Sequence, residues 1–339
     1  MTDVRKRWIP VLIGLILALA ALVFWNLSAG STKIPVSRIL AILAGRAGEK
    51  SEADVILKIR LPRILCALLA GGALSVSGYL LQTFFANPIA GPYILGISSG
   101  ARLFVALVMV AFISRGLAVS AGAQILAAFA GALLATGFVL LISLRVRNMS
   151  VLVVCGIMIG YAASAVTDLL VTFADDSNIV NLHNWSQGSF SGLNMTDAAL
   201  MASVIVPACT AALLLSKPVG AYQLGENLAA SLGVHVRWLR AALILLSSLL
   251  SATATAFAGP VSFVGIAVPH LMKTATAEAR PLVLIPVCFF GGAAVTLACD
   301  GLARLLFAPT EVAASSVSAV VLAPVVVAMM IRRKGARRD

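Results

Sequence analysis

Charge is scarce in this sequence: of 339 residues only 11% are Asp, Glu, Lys or Arg, while 60% are hydrophobic. A soluble domain carries roughly 25% charged residues, because even a large globule needs a polar coat. The deficit excludes an ordinary water-soluble fold and fits a chain whose surface meets lipid. Motifs of covalent chemistry are missing as well. No H-E-x-x-H, no G-x-S-x-G and no paired-carboxylate constellation occurs, and His183, His235 and His270 stand far apart on different segments. "GRAGEKS" (45–51) looks like a phosphate loop, but Glu49 separates glycine from lysine and the spacing is short of G-x-x-x-x-G-K-[ST]. The chain therefore reads as a non-enzyme that hydrolyses no nucleotide and binds no cofactor or metal itself. Cys66, Cys155, Cys209, Cys288 and Cys299 lie in apolar runs with no close-spaced pair. They read as small hydrophobes, not as disulfide partners or metal ligands.

What the chain does have is a series of long apolar stretches, at 8–27, 62–83, 95–114, 118–144, 150–173, 197–216, 239–258, 282–306 and 317–331. A shorter one, 261–274, carries Pro269, His270 and Lys273. Counting it gives ten expected spans and puts both termini on one side. Helices are expected, since a β-barrel would show alternating segments of about ten residues. The first run starts at Trp8 behind Arg5, Lys6 and Arg7, as a signal peptide would. It is too long for a usual cleaved core and ends in the weak site "FWNLSAG", so it reads as a retained span. Small residues in "GGALSVSG" (71–78) and "GALLATG" (131–137) would let helix backbones approach closely.

Basic residues set the orientation, because cytoplasmic loops carry an excess of Lys and Arg. With an inside N-terminus, the inside receives Arg5, Lys6, Arg7, Arg145, Arg147, Lys217, Arg237, Arg240, Lys273, Arg280 and the tail Arg332, Arg333, Lys334, Arg337 and Arg338. The loop 175–195 has no Lys or Arg but has Asp175 and Asp176, as an outer loop should. A basic stretch from Lys33 to Arg63 is the exception. Both termini are thus expected in the cytoplasm, with 29–60 as an external segment. Residues 217–238 would lie inside, where "GENLAASLG" reads as a short amphipathic helix with glycine at each end. Scattered over membrane loops, the basic residues form no nucleic-acid surface. Asp168 in the fifth span, alone, is thin support for proton coupling. Asp300 and Arg304, four apart at an outer helix end, read as a local ion pair.

Six blocks follow one another along the chain: "RLPR" (60–63), "GGALSVSGYLLQ" (71–82), "NPIAGPYILGISSGA" (87–101), "WSQGSF" (185–190), "LGENLAASLG" (224–233) and "GPVSFVGIAVPHLMK" (259–273). In this order they resemble the FecCD-type permeases of ABC importers for ferric siderophores, haem and cobalamin, over residues 8 to 331. The resemblance implies an all-α integral membrane protein of the ABC type II importer permease fold, one transmembrane domain over 1–339, in a bacterial inner membrane. It would move a metal chelate (ferric siderophore or haem) by alternating access, with cobalamin as the alternative cargo. A secondary transporter without an ATPase stays open from the residues alone. The implied partners are a second copy in a homodimer, two cytoplasmic ABC ATPase subunits that use ATP and Mg, and an external substrate-binding protein.

The resemblance also implies site residues. Arg60, Arg63 and Arg304 match positions where cobalamin-carrying members present arginines to glutamates on the binding protein. Guanidinium forks suit that task, and snorkelling at span ends is the plain alternative. Leu224, Gly225, Glu226, Ala230 and Gly233 match the coupling loop that docks into a groove of the ATPase. Asn87 and Ile89, with Met149 and Ser150, match a cytoplasmic gate, where uncharged side chains can pass a bulky chelate and then seal. Departures from the family pattern gather near the C-terminus. E-[LV]-P-x-G reads "EVAAS" (311–315), Leu322 replaces a glycine, and a segment usually rich in Gly, Asp and His reads "TATAEARP" (274–281).

Overall fold

A computed structural model of the protein describes residues 7–30, 34–45, 50–113, 119–146, 148–174, 176–308 and 310–335. Arg5, Lys6, Lys33, Glu49, Arg147, Asp175, Arg337 and Arg338, used in the readings above, lie outside the described residues. All regular structure among the described residues is helical: α1 (Trp8–Ser28), α2 (Val36–Leu43), α3 (Lys50–Asp54), α4 (Leu61–Phe84), α5 (Ile97–Ile113), α6 (Ala121–Arg145), α7 (Met149–Thr172), α8 (Asp176–Ser186), α9 (Met195–Leu214), α10 (Ser216–Tyr222), α11 (Glu226–Ser231), α12 (Val236–Ala258), α13 (Val264–Thr276), α14 (Pro281–Leu305) and α15 (Ala314–Gly335).

Seven of these, counting Lys50–Phe84 as one run, are long and apolar enough to cross a bilayer: α1, α3–α4, α6, α7, α9, α12 and α14. The expected ten are not all continuous spans. The stretches expected at 95–114 and 261–274 form helices of only 17 and 13 residues, α5 and α13. The apolar part of α15 covers Ala314–Ala328. A helix needs about 20 apolar residues to span. The reason for the shortfall is local. Pro88, Gly91, Pro92 and Gly96 keep most of the chain ahead of α5 out of α-helix, apart from one tight turn at Pro92–Leu95. Between α12 and α13, Gly259 and Phe263 take φ of +71° and +64°, which ends one helix and offsets the next.

Such breaks expose backbone groups that lipid cannot satisfy. Here side chains of neighbouring elements and one backbone N–H supply partners. Tyr93 donates its hydroxyl to the carbonyl oxygen of Val261, bringing the two broken segments together. Gln82 Nε2 donates to Ile266 O at 3.0 Å, and Ser318 Oγ donates to Ser262 O at 3.1 Å. The Ser189 N–H donates to Ala258 O at 2.8 Å, closing the end of α12.

α4 forms the centre, packed by α14, α12, α13 and α9. Nearly every residue from Gly71 to Phe84 is buried. Its neighbours come close because side chains are missing where they meet. A Cβ on Gly78 would collide with the carbonyl oxygen of Gly265, and Gly71 and Gly292 stand against each other's carbonyls. Where α4 meets α12, the Ser77 and Ser247 hydroxyls hydrogen-bond at 2.8 Å. The five cysteines are free, with Cys66, Cys288 and Cys299 buried.

The departing segment 274–281 makes a turn with its own chemistry. Ala277 takes φ +52°. The Glu278 carboxylate then accepts from the N–H groups of Ala279 and Arg280, at 3.0 and 3.2 Å, and pairs with the Arg280 guanidinium at 2.6 Å. The Arg280 hydrogen bond, chiefly, draws that carboxyl down to about 2.

Gly78→Ala is expected to lower the stability of the purified protein by about 1–3 kcal/mol, the usual cost of overpacking. Gly137→Ala, where nothing lies within 4 Å of an added Cβ, is expected to stay within about 0.5 kcal/mol. Thermal unfolding in detergent, followed by size exclusion, measures both.

Candidate functional site

The sequence-expected site residues gather at two opposite ends of α4. At its N-terminal end the chain passes through wider, π-type turns (Val55–Arg60) before α4 begins. Arg60 and Arg63, three apart, emerge from this junction on one side of the helix. Both are buried, at 4% and 6% exposure. Arg60 Nη1 donates to the carbonyl oxygen of Leu27, at the end of α1. Gly30 leaves the space it needs, since a Cβ there would sit 2.7 Å from Arg60 Nη2.

Arg63 spreads its fork over two carboxylates. Nε and Nη2 grip Asp300 of α14 at 2.9–3.1 Å, while Nη1 reaches Glu311 Oε2 at 2.9 Å. Arg304 donates to Asn26 Oδ1 of α1, and its Nε stands 3.7 Å from Asp300. The local Asp300–Arg304 pair read from sequence is therefore the weaker contact. The main partner of Asp300 is Arg63, 237 positions away in the chain. A spacing rule within one helix has no access to that contact. Nor do the three arginines stand on an open rim in this chain. Solvent reaches the cluster at the Glu311 side chain, which is 46% exposed. Among the described residues, three guanidinium groups gather here with two carboxylates. Glu311 belongs to "EVAAS", where the sequence leaves the family pattern.

At the other end of α4 lies the segment 217–238. It holds two short helices, α10 and α11, where one was expected. Gly225 and Gly233 bracket α11 with φ of +117° and +85°, so the glycine at each end is a backbone requirement. Ala229 is fully buried and pins α11 to the bundle, while Ala230 is exposed and Glu226, partly exposed, turns its carboxylate toward Tyr222. Leu224, Leu228 and Leu232 are 68%, 47% and 62% exposed and repeat every four residues. Leu228 and Leu232 were missed as candidates, although the i, i+4 spacing was there to be read. Burial, with the Glu226 carboxylate beside it, holds the Tyr222 phenol above its ordinary range.

The two segments expected to form a gate start from this same end. Asn87 follows Ala86, which has φ +48°, and Asn87 Oδ1 accepts from the Ile89 N–H at 3.2 Å. Ile89 is 40% exposed, but the chain from Ala90 to Ile97 turns back into the bundle, with only Tyr93 and Ile94 less than fully buried. There Gly96 lies against α7, where an added Cβ would stand 3.2 Å from Gly160 N. The stretch 87–101 is thus a re-entrant segment as well as a turn. Asn148 Oδ1 accepts from the Ser150 N–H at 2.9 Å and starts α7, leaving Met149 half-buried and Ser150 exposed.

Comparison with known proteins adds the following. The FecCD transport family pattern matches residues 17–332. The hemin transport system permease protein HmuU of Yersinia pestis is 34% identical over 282 residues, covering 83% of this chain and 84% of its own. The vitamin B12 import system permease protein BtuC of Klebsiella pneumoniae is 32% identical over 330 residues, 97% of this chain and 95% of its own. Among solved structures, a metal-chelate type ABC transporter in an inward-facing conformation is similar with a TM-score of 0.84 at 27% identity, over 95% of this chain and 99% of that one. PsaBC from Streptococcus pneumoniae, at 16% identity and a TM-score of 0.52, shares the fold alone.

Removing one partner from a buried ion pair strands the other, at a cost of about 3–5 kcal/mol. Asp300→Asn and Arg63→Gln are each expected to lose that much stability. The double variant should lose clearly less than the sum, as a double-mutant cycle on thermal unfolding in detergent would read.

Proposed function

Because the chain belongs to the FecCD transport family, we propose that it is the permease subunit of an ATP-driven importer that carries a metal chelate across a bacterial inner membrane by alternating access. The observation that carries this reading is similarity along almost the whole chain to two permeases, one named for hemin and one for vitamin B12, with each relative also covered over most of its length. Both cargoes are macrocycles that hold a metal. A ferric siderophore or haem is the proposed cargo, with cobalamin as the alternative.

Ten membrane crossings with both termini in the cytoplasm complete the proposal. The seven long helices would supply seven of them. α5 with its re-entrant segment, α13 and α15 would supply the rest. The surface of α7, of which only 11% of the span is buried within this chain, supports a homodimer. Its exposed side carries Tyr161 and Asp168. An ionisable residue in a membrane helix belongs against protein or water, not lipid. A second copy covering α7, with the pathway between the two, meets that demand.

Two cytoplasmic ATPase subunits, using ATP and Mg, would dock on 217–238. The support is that Leu224, Leu228 and Leu232 in and beside α11 are all exposed, with Gly225, Glu226, Ala230 and Gly233 shaping the knob. Asn87 and Ile89 with Met149 and Ser150 would form the cytoplasmic gate. An external binding protein would dock over Arg60, Arg63 and Arg304. Since Glu311 already occupies one arm of Arg63, an incoming carboxylate would exchange with it.

The test is reconstitution of the permease with its ATPase and binding protein in proteoliposomes. Haemin, a ferric hydroxamate and cyanocobalamin are offered in parallel. ATP-dependent accumulation of one of them is expected. Accumulation that persists with a hydrolysis-dead ATPase would establish a secondary transporter and overturn the proposal.

A second expectation concerns the coupling segment. Gly225→Val and Gly233→Val force a β-branched residue to φ above +80°, at a strain of about 1–3 kcal/mol each. Both variants should lower chelate taken up per ATP hydrolysed while the permease dimer still assembles.

A further inference from the structure

Arg240 belongs to none of the assigned sites, yet it touches three of their elements at once. It lies in the second turn of α12 with a side chain only 10% exposed. Nη1 stands 3.6 Å from Glu226 Oε1 at the start of α11. Nη2 points to the carbonyl oxygen of Val146 at 3.5 Å, just past the end of α6. Cζ lies 5.5 Å from the ring centroid of Phe84, the last residue of α4. Phe84 comes three residues before Asn87, and Val146 three before Met149. One guanidinium therefore joins the proposed coupling segment to the root of each gate segment. A planar fork with an aromatic-binding face suits these three contacts together better than the point charge of a lysine ammonium.

Its neighbours tighten the same junction. The Tyr222 hydroxyl donates to Glu226 Oε1 at 2.9 Å and has Phe84 O as a second acceptor at 3.3 Å. A hydroxyl has one proton, so it can serve only one of them at a time. Gln223 Nε2 donates to Tyr79 at 3.0 Å and lies 3.4 Å from Thr83 Oγ1, both on the last turns of α4. Phe84 is itself locked, 1% exposed and edge-on to Phe85 with ring centroids 4.7 Å apart. A shift of α11 thus cannot leave the end of α4 undisturbed. It moves Glu226, and with Glu226 the group that spans Phe84 and Val146.

We propose that Arg240 is the positioning residue through which movement of the 217–238 segment reaches both gate segments, with Tyr222 as its support. The proposal rests on the reading of 217–238 as the ATPase coupling segment. In the resting arrangement Glu226 holds the guanidinium over Phe84 and against Val146. When the ATPases shift α11, the carboxylate leaves or carries the guanidinium with it. The Tyr222 hydroxyl can then turn its hydrogen bond from Glu226 to the Phe84 carbonyl, and the turns at 85–89 and 146–150 lose their common brace.

The test uses the complete transporter in proteoliposomes, with whichever of haemin, ferric hydroxamate and cyanocobalamin the wild type accumulates. Arg240→Met is expected to keep ATP hydrolysis within about twofold and to lower uptake per ATP about tenfold, with Arg240→Lys between it and wild type. A second readout needs no cargo. Spin labels at Asn87→Cys in both copies, with the half-buried Cys155 and Cys209 changed to alanine, report the distance between the two gates. Nucleotide should change that distance in the wild type and not in Arg240→Met. Wild-type coupling together with a wild-type distance change in Arg240→Met would overturn the proposal. Should Arg240→Met fail to assemble, Tyr222→Phe decides, since it deletes one oxygen: partial uncoupling supports the proposal and wild-type behaviour overturns it. If Gly225→Val and Gly233→Val also leave coupling intact, the coupling-segment reading itself is wrong. If they uncouple while Arg240→Met does not, only the role of Arg240 fails.

Discussion

Close approach to one helix is the constraint on which the rest of this structure depends. In lipid no hydrophobic effect drives helices together, so contact must come from packing and from hydrogen bonds between helices. α4 meets that demand with glycine and serine. Gly71 and Gly78 let α14 and α13 lie almost backbone to backbone against it, and Ser77 bonds to Ser247 of α12. The result is a helix held on nearly every side. Interiors packed in this way pass displacement on instead of absorbing it. That matters because the arginine cluster sits at one end of α4, and the segments proposed for coupling and gating sit at the other.

The charged and backbone groups at the key junctions of the bundle are placed where another group can answer them, whereas hydroxyls such as those of Ser248 and Thr296 have no hydrogen-bond partner among the described residues. Asp300 is fully buried, a costly position for a carboxylate, and the Arg63 fork compensates it on two sides. The broken segments ahead of α5 and α13 carry backbone groups into the bundle, where Tyr93 and Ser318 satisfy the carbonyls of Val261 and Ser262. Irregular backbone at membrane depth is tolerated only where protein or a water-filled cavity surrounds it. In transporters such places serve passage or movement, and the residues proposed as the gate, Asn87 and Ile89, stand at the start of one of them.

Much of the helical plan was legible. The apolar run 62–83 became α4 (Leu61–Phe84), and 239–258 became α12 (Val236–Ala258). Each boundary there is marked by a proline, a glycine or the end of hydrophobicity. Legibility failed where a segment's fate depends on what packs on it. An apolar run with prolines reads as a span, yet 261–274 became a 13-residue helix because Phe263 holds an unfavoured φ that only tertiary packing can maintain. The site shows the same division. Gly225 and Gly233 were read correctly as turn residues from spacing alone. Arg60 and Arg63 were placed at the right end of the right helix, but their burial and their internal carboxylate partners were not visible.

The sequence by itself determined that this chain enters a membrane, where its helices run, and which residue types crowd their contacts. Those properties follow from hydrophobicity and backbone preference, which act over a few neighbouring residues. Tertiary structure alone decided that Asp300 belongs to Arg63 and not to Arg304. It also decided that Glu311 closes the arginine cluster, and that Arg240 stands where three distant segments meet. Such pairings join residues far apart in the chain, and their energies depend on distances and on the exclusion of water, which exist only once the helices have packed.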